Sequence, residues 1–153
     1  MKRIIITCSI SILIDQLIKL LIVNNFVLGS STSIIKNFFS LTYVQNTGAA
    51  FSILSGNLIL LICITVLALV FIYLFLVKNE KNTKMNLYFY GVLYGGIIGN
   101  LIDRIIRGYV VDYLDFNIFN YNFPVFNFAD ICIVVSILLI VIFSLLEARN
   151  GKN

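Results

Sequence analysis

The sequence contains no histidine among its 153 residues, and only 12% of them are charged. The absence of histidine removes the commonest metal ligand and the commonest general base, so any catalysis must use carboxylates, lysine, serine or tyrosine. The three cysteines, Cys8, Cys63 and Cys132, each lie within an apolar run and show no CxxC spacing. We therefore interpret them as small buried hydrophobic residues and expect neither a metal nor a cofactor.

Hydrophobic residues make up 60% of the chain, and the mean hydropathy is +1.01. A soluble domain is typically about half apolar and about a quarter charged, so these values indicate a membrane protein. The length predicts a single domain, 1–153, with room for about four crossings of roughly 20 residues each. The net charge is +4, but the basic residues stand at the ends of apolar runs, so nucleic acid is not an expected partner.

Four segments are long and apolar enough to form transmembrane helices, at about 4–23, 58–77, 86–106 and 128–146. The second carries no charge at all. The first begins with MKR like a signal peptide, but it lacks a small-residue cleavage site and contains Asp15 and Lys19. We interpret it as a retained helix.

Basic residues concentrate at both termini and between the second and third helices: Lys2, Arg3, Lys78, Lys81, Lys84, Arg149 and Lys152. The positive-inside rule makes these regions cytoplasmic and the two long connections, 24–57 and 107–127, external. In the first connection, aromatic and β-branched residues flank the turn-like NTG and predict a short hairpin or strand pair on the membrane surface. The second is rich in Tyr, Phe and Asn, as expected at headgroup level.

Charged residues inside the predicted helices need partners, because each costs at least about 2.5 to 3.5 kcal/mol on insertion scales. Asp15 and Lys19 are spaced i, i+4 and can pair directly, which suits a structural anchor and a functional site equally well.

The third helix carries Gly91, Gly95 and Gly99 on one face, a spacing that favours close packing of another helix. Asp103 lies next to basic residues on the same helix and should stay ionised, which suits a structural brace. Asn100 is expected on the same strip as Asp103, within hydrogen-bonding reach of it or of a loop.

Asp112 and Asp130 differ from these residues because neither has a basic residue within one helical turn. Asp130 lies near a helix N-terminus, where capping is an alternative role, and Asp115 is an alternative to Asp112. Two neighbouring carboxylates share one proton, so that one activates water while the other donates to a carbonyl oxygen. This chemistry needs neither histidine nor metal.

The motifs NTGAAFS, GGIIGNLIDR, GYVVDY and FPVFNFAD, in this order on a four-helix hydropathy profile, resemble the prolipoprotein signal peptidase (signal peptidase II) family. The resemblance covers nearly the whole chain. It implies an all-α membrane protein with four transmembrane helices and a small extracytoplasmic β-rich cradle. It also implies an aspartic endopeptidase of the bacterial plasma membrane that cleaves diacylglyceryl-modified prolipoproteins just before the lipidated cysteine.

By this resemblance the catalytic dyad is Asp112 and Asp130, near the outer leaflet. The positions that match the family as substrate-binding or site-supporting residues are Asp15, Lys19, Asn46, Gly48, Gly96, Asn100, Arg104, Asn127 and Ala129. The expected partners are the prolipoprotein substrates and membrane lipid, and the protein is expected to be a monomer.

Three other functions fit parts of the pattern. A Ser/Lys peptidase would use Lys19 as its base, and a small transporter would use Asp15, Asp103 and Asp130 as relay groups at different membrane depths. A structural assembly subunit would need none of the Asn-Asp motifs.

Overall fold

The computed structural model describes residues 1–49, 53–78, 84–119 and 121–150. Residues 50–52 of the NTGAAFS motif, and Lys81 and Lys152 among the basic residues, lie outside the described residues. In chain order the elements are α1 (Lys2–Asn25), β1 (Ser31–Ile35), β2 (Phe39–Asn46), α2 (Leu58–Ile72, continued by a π-helical turn, Tyr73–Val77), α3 (Lys84–Arg107), β3 (Val110–Ile118), β4 (Tyr121–Asn122) and α4 (Phe128–Asn150).

The four predicted helices are all present, each within a few residues of the expected ends. Three are long and apolar enough to cross a membrane: Lys2–Asn25, Leu58–Val77 and Phe128–Glu147. The fourth, α3, has 24 residues but carries Asp103, Arg104 and Arg107 near its end. It packs between α1 and α4, where its polar residues have protein partners.

Glycines in α3 allow this close packing. A Cβ atom at Gly91, Gly95 or Gly99 would lie within 2.6 Å of atoms of α1, which confirms the predicted packing face. A Cβ atom at Gly96 would instead lie 2.5 Å from the carbonyl oxygen of Ala129 in α4. Small residues on two sides of α3 therefore bring both neighbouring helices close to its backbone.

The strands form one antiparallel sheet in the order β1-β2-β3-β4. The predicted strand pair is present, but its turn lies at residues 36–38 and not at NTG, whose asparagine, Asn46, is the last residue of β2. Asn37 has φ 59°, a left-handed conformation that asparagine tolerates better than most residues. The second neighbour of β2 is β3, a strand that the aromatic pattern of 107–127 did not predict.

One buried apolar cluster, Ile22, Tyr43, Val111 and Tyr113, joins the sheet to the C-terminal end of α1. The ends of α1 and α3 and the beginning of α4 meet this sheet. Away from it, apolar side chains on α1, α2 and α4 are widely exposed, as in Ile59 at 79%. Such surfaces suit a lipid surrounding.

Candidate active site

A cavity of about 760 Å³ lies where the sheet meets α3 and α4, and Asp112 and Asp130 both line it. Its volume falls within the usual range for small-ligand and substrate sites. Asp115, the alternative to Asp112, is not among the lining residues, and its Oδ2 accepts a hydrogen bond from the Thr42 hydroxyl at 2.7 Å. Because side chains alternate along a strand, Asp115 faces away from Asp112.

Strand pairing places Asp112. It lies opposite Val44 on β2, and a register shift between Leu41 and Val44 brings Asn46 to the diagonal position on the same face. The side-chain amide of Asn46 donates to Asp112 Oδ2 at 2.9 Å. The amide of Asn127 donates to Oδ1 of the same carboxylate at 2.6 Å, so both oxygens of this buried group have a donor.

The first turn of α4 places Asp130. Its N–H donates to Asn127 Oδ1 at 3.0 Å, and its Oδ2 accepts the N–H of Asn127 at 3.0 Å. This reciprocal pair is a capping box with Asn127 as the N-cap residue. The remaining oxygen, Oδ1, accepts the side-chain amide of Asn100 at 2.8 Å and is oriented toward α3. The predicted capping role and a place in the cavity therefore coexist in one residue.

Every backbone N–H of the first turn of α4 has a side-chain partner. Besides the two bonds of the capping box, Phe128 donates to the Tyr113 hydroxyl at 3.1 Å, and Ala129 donates to Asp15 Oδ1 at 3.1 Å. A helix N-terminus leaves these groups without partners inside the helix, so partners outside it fix its position. The start of α4 is thereby attached to α1 and β3.

Two asparagine amides link the carboxylates to each other. Asn127 Nδ2 donates to Asp112 and also to Asn100 Oδ1 at 3.1 Å. Asn100 Nδ2 donates in turn to Asp130. The chain Asp112–Asn127–Asn100–Asp130 therefore connects the sheet, α3 and α4 through side chains alone.

Behind this chain lies a group of fully buried charges, Asp15, Lys19 and Asp103, which we call the ion cluster. Lys19 Nζ lies 2.9 Å from Asp15 Oδ2 and 3.0 Å from Asp103 Oδ2. It also donates to Asn100 Oδ1 at 2.8 Å, so all three of its donors have partners. Asp103 additionally pairs with Arg107. The predicted pairing of Asp15 with Lys19 is confirmed.

Arg104 holds the loop that follows β2. Its Nη2 donates to the carbonyl oxygen of Gly48 at 3.0 Å, and Gly48 N–H donates to Asn46 Oδ1 at 2.9 Å. Arg104 also lines the cavity, and its buried Nε has no hydrogen-bond partner among the described residues. One basic side chain thus connects α3 to the cavity wall formed by β2.

The pKa of Asp112 is raised from its ordinary value of 3.8 to about 7, mainly by burial and to a smaller extent by the neighbouring charge of Asp130. The hydrogen bonds from Asn46 and Asn127 and the charge of Lys19 oppose the rise. The dominant cause is desolvation, which penalises the charged form. Near neutral pH, Asp112 is therefore able to hold a proton while Asp130 stays beside it as a second acid-base group.

All the site residues named from the sequence lie around this cavity or directly behind it. Two further residues join them. Gln16 donates to Asp15 and Asp103, and the Tyr113 hydroxyl receives the N–H of Phe128. Gln16 is a polar residue next to Asp15 within an apolar helix, which is a signal that sequence reasoning overlooked, whereas Tyr113 gives none.

In the described parts of the chain, no group of three or more acidic or cysteine side chains is placed to hold a metal ion.

Two carboxylates on one cavity, Asp112 buried and Asp130 partly buried, beside helices of membrane-spanning length, are the arrangement of a membrane peptidase of the aspartic type. The chain belongs to the signal peptidase (SPase) II family, Peptidase_A8, whose sequence profile matches residues 7–146. Membership confirms the family, the peptidase activity and the bacterial membrane location expected from the sequence.

Individual relatives agree with this assignment. The chain is 45% identical over 142 residues to a lipoprotein signal peptidase of Halothermothrix orenii, covering 93% of this chain and 94% of the relative. A solved bacterial membrane enzyme at 2.3 Å resolution superposes with a TM-score of 0.87 at 32% identity, over 100% of this chain and 93% of the other. A second, at 1.9 Å, gives 0.83 at 34% identity, over 95% and 94%.

Proposed function

We propose that this member of the signal peptidase II family removes the signal peptide from diacylglyceryl-modified prolipoproteins, cutting just before the lipidated cysteine, with Asp112 and Asp130 as its catalytic dyad. The observation that supports the dyad best is its placement: two carboxyl groups from different elements line one cavity. The substrate class is carried over from the lipoprotein signal peptidase to which the chain is similar.

In the proposed mechanism the two carboxyl groups share one proton and hold a water molecule between them. The ionised group takes a proton from this water as the water attacks the scissile carbonyl, and the protonated group donates to the carbonyl oxygen. The tetrahedral intermediate then collapses as a proton is delivered to the leaving amine. No covalent enzyme intermediate forms. This agrees with the lack of a histidine that could activate a nucleophile, and with the position of Lys19, whose donors are all bound within the ion cluster and to Asn100.

The other site residues have supporting roles in this proposal. Asn46 and Asn127 hold Asp112, and Asn100 with the helix cap holds Asp130. Gly96 lets α4 approach α3 at Ala129, so that Asp130 reaches the cavity. Arg104 and Gly48 hold one wall against which the substrate backbone lies. Asp15 and Lys19 support the site from behind.

We further propose that α3 is a fourth transmembrane crossing, that both termini are cytoplasmic and that the dyad lies near the outer leaflet. Four antiparallel crossings agree with the basic residues near Lys2, Lys78 and Arg149 at one end and with the sheet at the other. The sheet then forms the extracytoplasmic cradle, and the chain acts as a single domain and a monomer.

The decisive experiment compares a diacylglyceryl-modified precursor with its unlipidated twin, each incubated with the purified protein in lipid. We expect selective cleavage of the lipidated precursor. Asp112→Asn and Asp130→Asn should each reduce cleavage by at least about a thousandfold while the protein remains folded and inserted. Asp115→Asn is the matched control and should retain activity, because its side chain does not line the cavity.

Full activity of either dyad variant, or cleavage of neither precursor, would overturn the proposal. A Ser/Lys mechanism is disfavoured because every donor of Lys19 is already used by Asp15, Asp103 and Asn100. A relay through the membrane is disfavoured because the aspartates named for it lie close together: Asp15 accepts the N–H of Ala129, next to Asp130, and shares Lys19 with Asp103.

A further inference from the structure

The backbone next to Asp112 is held by a carboxylate outside the cavity. Val111 N–H donates to Asp103 Oδ2 at 3.1 Å, and both residues are fully buried. Asp103 belongs to α3, whereas Val111 is the second residue of β3. This hydrogen bond therefore fixes the strand to the helix one residue before the proposed catalytic side chain.

The backbone next to Asp130 is held in the same way. Ala129 N–H donates to Asp15 Oδ1 at 3.1 Å, and both residues are again fully buried. Asp15 belongs to α1, and Ala129 lies in the first turn of α4. Each member of the dyad is therefore preceded by a residue whose N–H is bound by a carboxylate of the ion cluster.

Lys19 connects the two carboxylates. Its ammonium group lies 2.9 Å from Asp15 and 3.0 Å from Asp103, and none of the three side chains is exposed. Its third donor binds Asn100, whose own amide binds Asp130. The ion cluster thus reaches both halves of the dyad, although none of its three residues lines the cavity.

We propose that the ion cluster is the positioning device of the dyad: by binding the N–H groups of Val111 and Ala129, it sets the separation of Asp112 and Asp130. This inference rests on the proposed function, because it concerns how that dyad is assembled. The three residues act through other groups and do not meet the substrate. They are positioning residues.

Two physical arguments support this role. Sharing of a proton between carboxyl groups weakens steeply as they move apart, so small displacements of either backbone alter the chemistry. Hydrogen bonds to ionised acceptors are stronger than neutral ones and hold their geometry well. If the cluster served stability alone, its charges would need only to neutralise each other. Well-packed apolar side chains often stabilise a protein as much as a buried ion pair does. Apolar side chains would provide no acceptor for the N–H groups of Val111 and Ala129.

The test uses the full-length protein in lipid with the lipidated precursor, and compares Asp15→Asn, Asp103→Asn and the double variant. Folded protein is quantified by thermal unfolding, followed by the loss of helical circular dichroism. Gly99→Ala provides a variant that keeps every charge, since its Cβ would lie 2.6 Å from Asp15 Oδ2 and displace that carboxylate. Asp115→Asn is the matched control.

We expect each single variant and Gly99→Ala to lower kcat per folded molecule at least about tenfold, with KM changed less than about twofold. The double variant should lose little more than the worse single variant, because residues that act as a unit are non-additive. Asp115→Asn should match the parent.

An unchanged kcat per folded molecule, with only the folded fraction reduced, would show a structural role and overturn the proposal. If the losses of kcat in the two single variants multiply in the double variant, Asp15 and Asp103 act independently. That result would overturn their coupling through Lys19. Asp112→Asn in the same assay separates the two proposals: if it remains active the proposed function fails, whereas if it is inactive and the cluster variants are normal, only this inference fails.

Discussion

Asn127 and Asp130 hydrogen-bond each other twice, each backbone N–H donating to the other's side chain at 3.0 Å. The amide nitrogen of Asn127 also donates to Asp112 at 2.6 Å. The side-chain oxygen of Asn127 therefore caps α4, while its side-chain nitrogen supports Asp112 of the proposed dyad. Different substitutions separate the two contributions.

Asn127→Ser keeps an oxygen that can accept the Asp130 N–H but loses the donor to Asp112. We expect a folded enzyme whose kcat is about 10- to 100-fold lower, since a hydrogen bond to a charged group contributes about 1.5 to 3 kcal/mol. Asn127→Ala loses the cap as well, which should lower stability by a further ~1 kcal/mol. Steady-state kinetics and thermal unfolding of both variants check this. Equal stability of the two variants would contradict the capping role.

The activity should fall at alkaline pH. Because burial and Asp130 raise the pKa of Asp112 to about 7, a shared proton is present below this value and is lost above it. We expect kcat/KM, which reports the pKa values of the free enzyme, to decline by up to about tenfold per pH unit above about pH 7. Asn127→Ser should move this decline to higher pH, because the hydrogen bond it removes lowers the pKa of Asp112. A pH profile of kcat/KM measures both, and a decline that shifts to lower pH in Asn127→Ser would contradict the assignment.

Gly96 and Gly95 are neighbours in α3 that face different helices, so they provide a matched pair. Gly96→Ala places a methyl group 2.5 Å from the Ala129 carbonyl and should displace the first turn of α4, lowering kcat at least about tenfold. Gly95→Ala meets Ser11 of α1 at 2.5 Å and should lower thermal stability with kcat per folded molecule nearly unchanged. Equal effects of the two substitutions on kcat would contradict the specific role of Gly96.

Arg104→Lys tests the cavity wall. Lysine retains the charge but lacks the planar group that reaches the Gly48 carbonyl at 3.0 Å. The loop after β2 should then be less well held, and we expect KM for the lipidated precursor to rise about tenfold with a smaller change in kcat. An unchanged KM in Arg104→Lys would show that this contact does not support substrate binding.

Several parts of the structure follow directly from local sequence patterns. The four helices follow from apolar runs, and the pairing of Asp15 with Lys19 follows from their i, i+4 spacing. The glycines of α3 have the spacing of a packing face, which the structure places against α1. In each case the interacting groups lie on one element or on one face, so a periodic pattern is sufficient.

Contacts between segments that are distant in the sequence could not be predicted from such local patterns. The pairing of β2 with β3 joins residues 66 positions apart, as between Asn46 and Asp112, and a bulge sets its register. Lys19 was correctly paired with Asp15, but its contacts with Asp103 and Asn100 depend on how α1 packs against α3. The pairing of the two dyad aspartates came from the family motifs, because spacing alone also allowed Asp115.

The first turn of α4 has a consequence for biogenesis. Synthesis proceeds from the N-terminus, so α1, α3 and β3 exist before the helix that supplies Asn127, Ala129 and Asp130. Until that helix arrives, Asp15 lacks its backbone donor and Asp112 lacks one of its two amides. In the proposed mechanism the nascent chain therefore has no peptidase activity, and cleavage of prolipoproteins begins only after the last segment has been inserted.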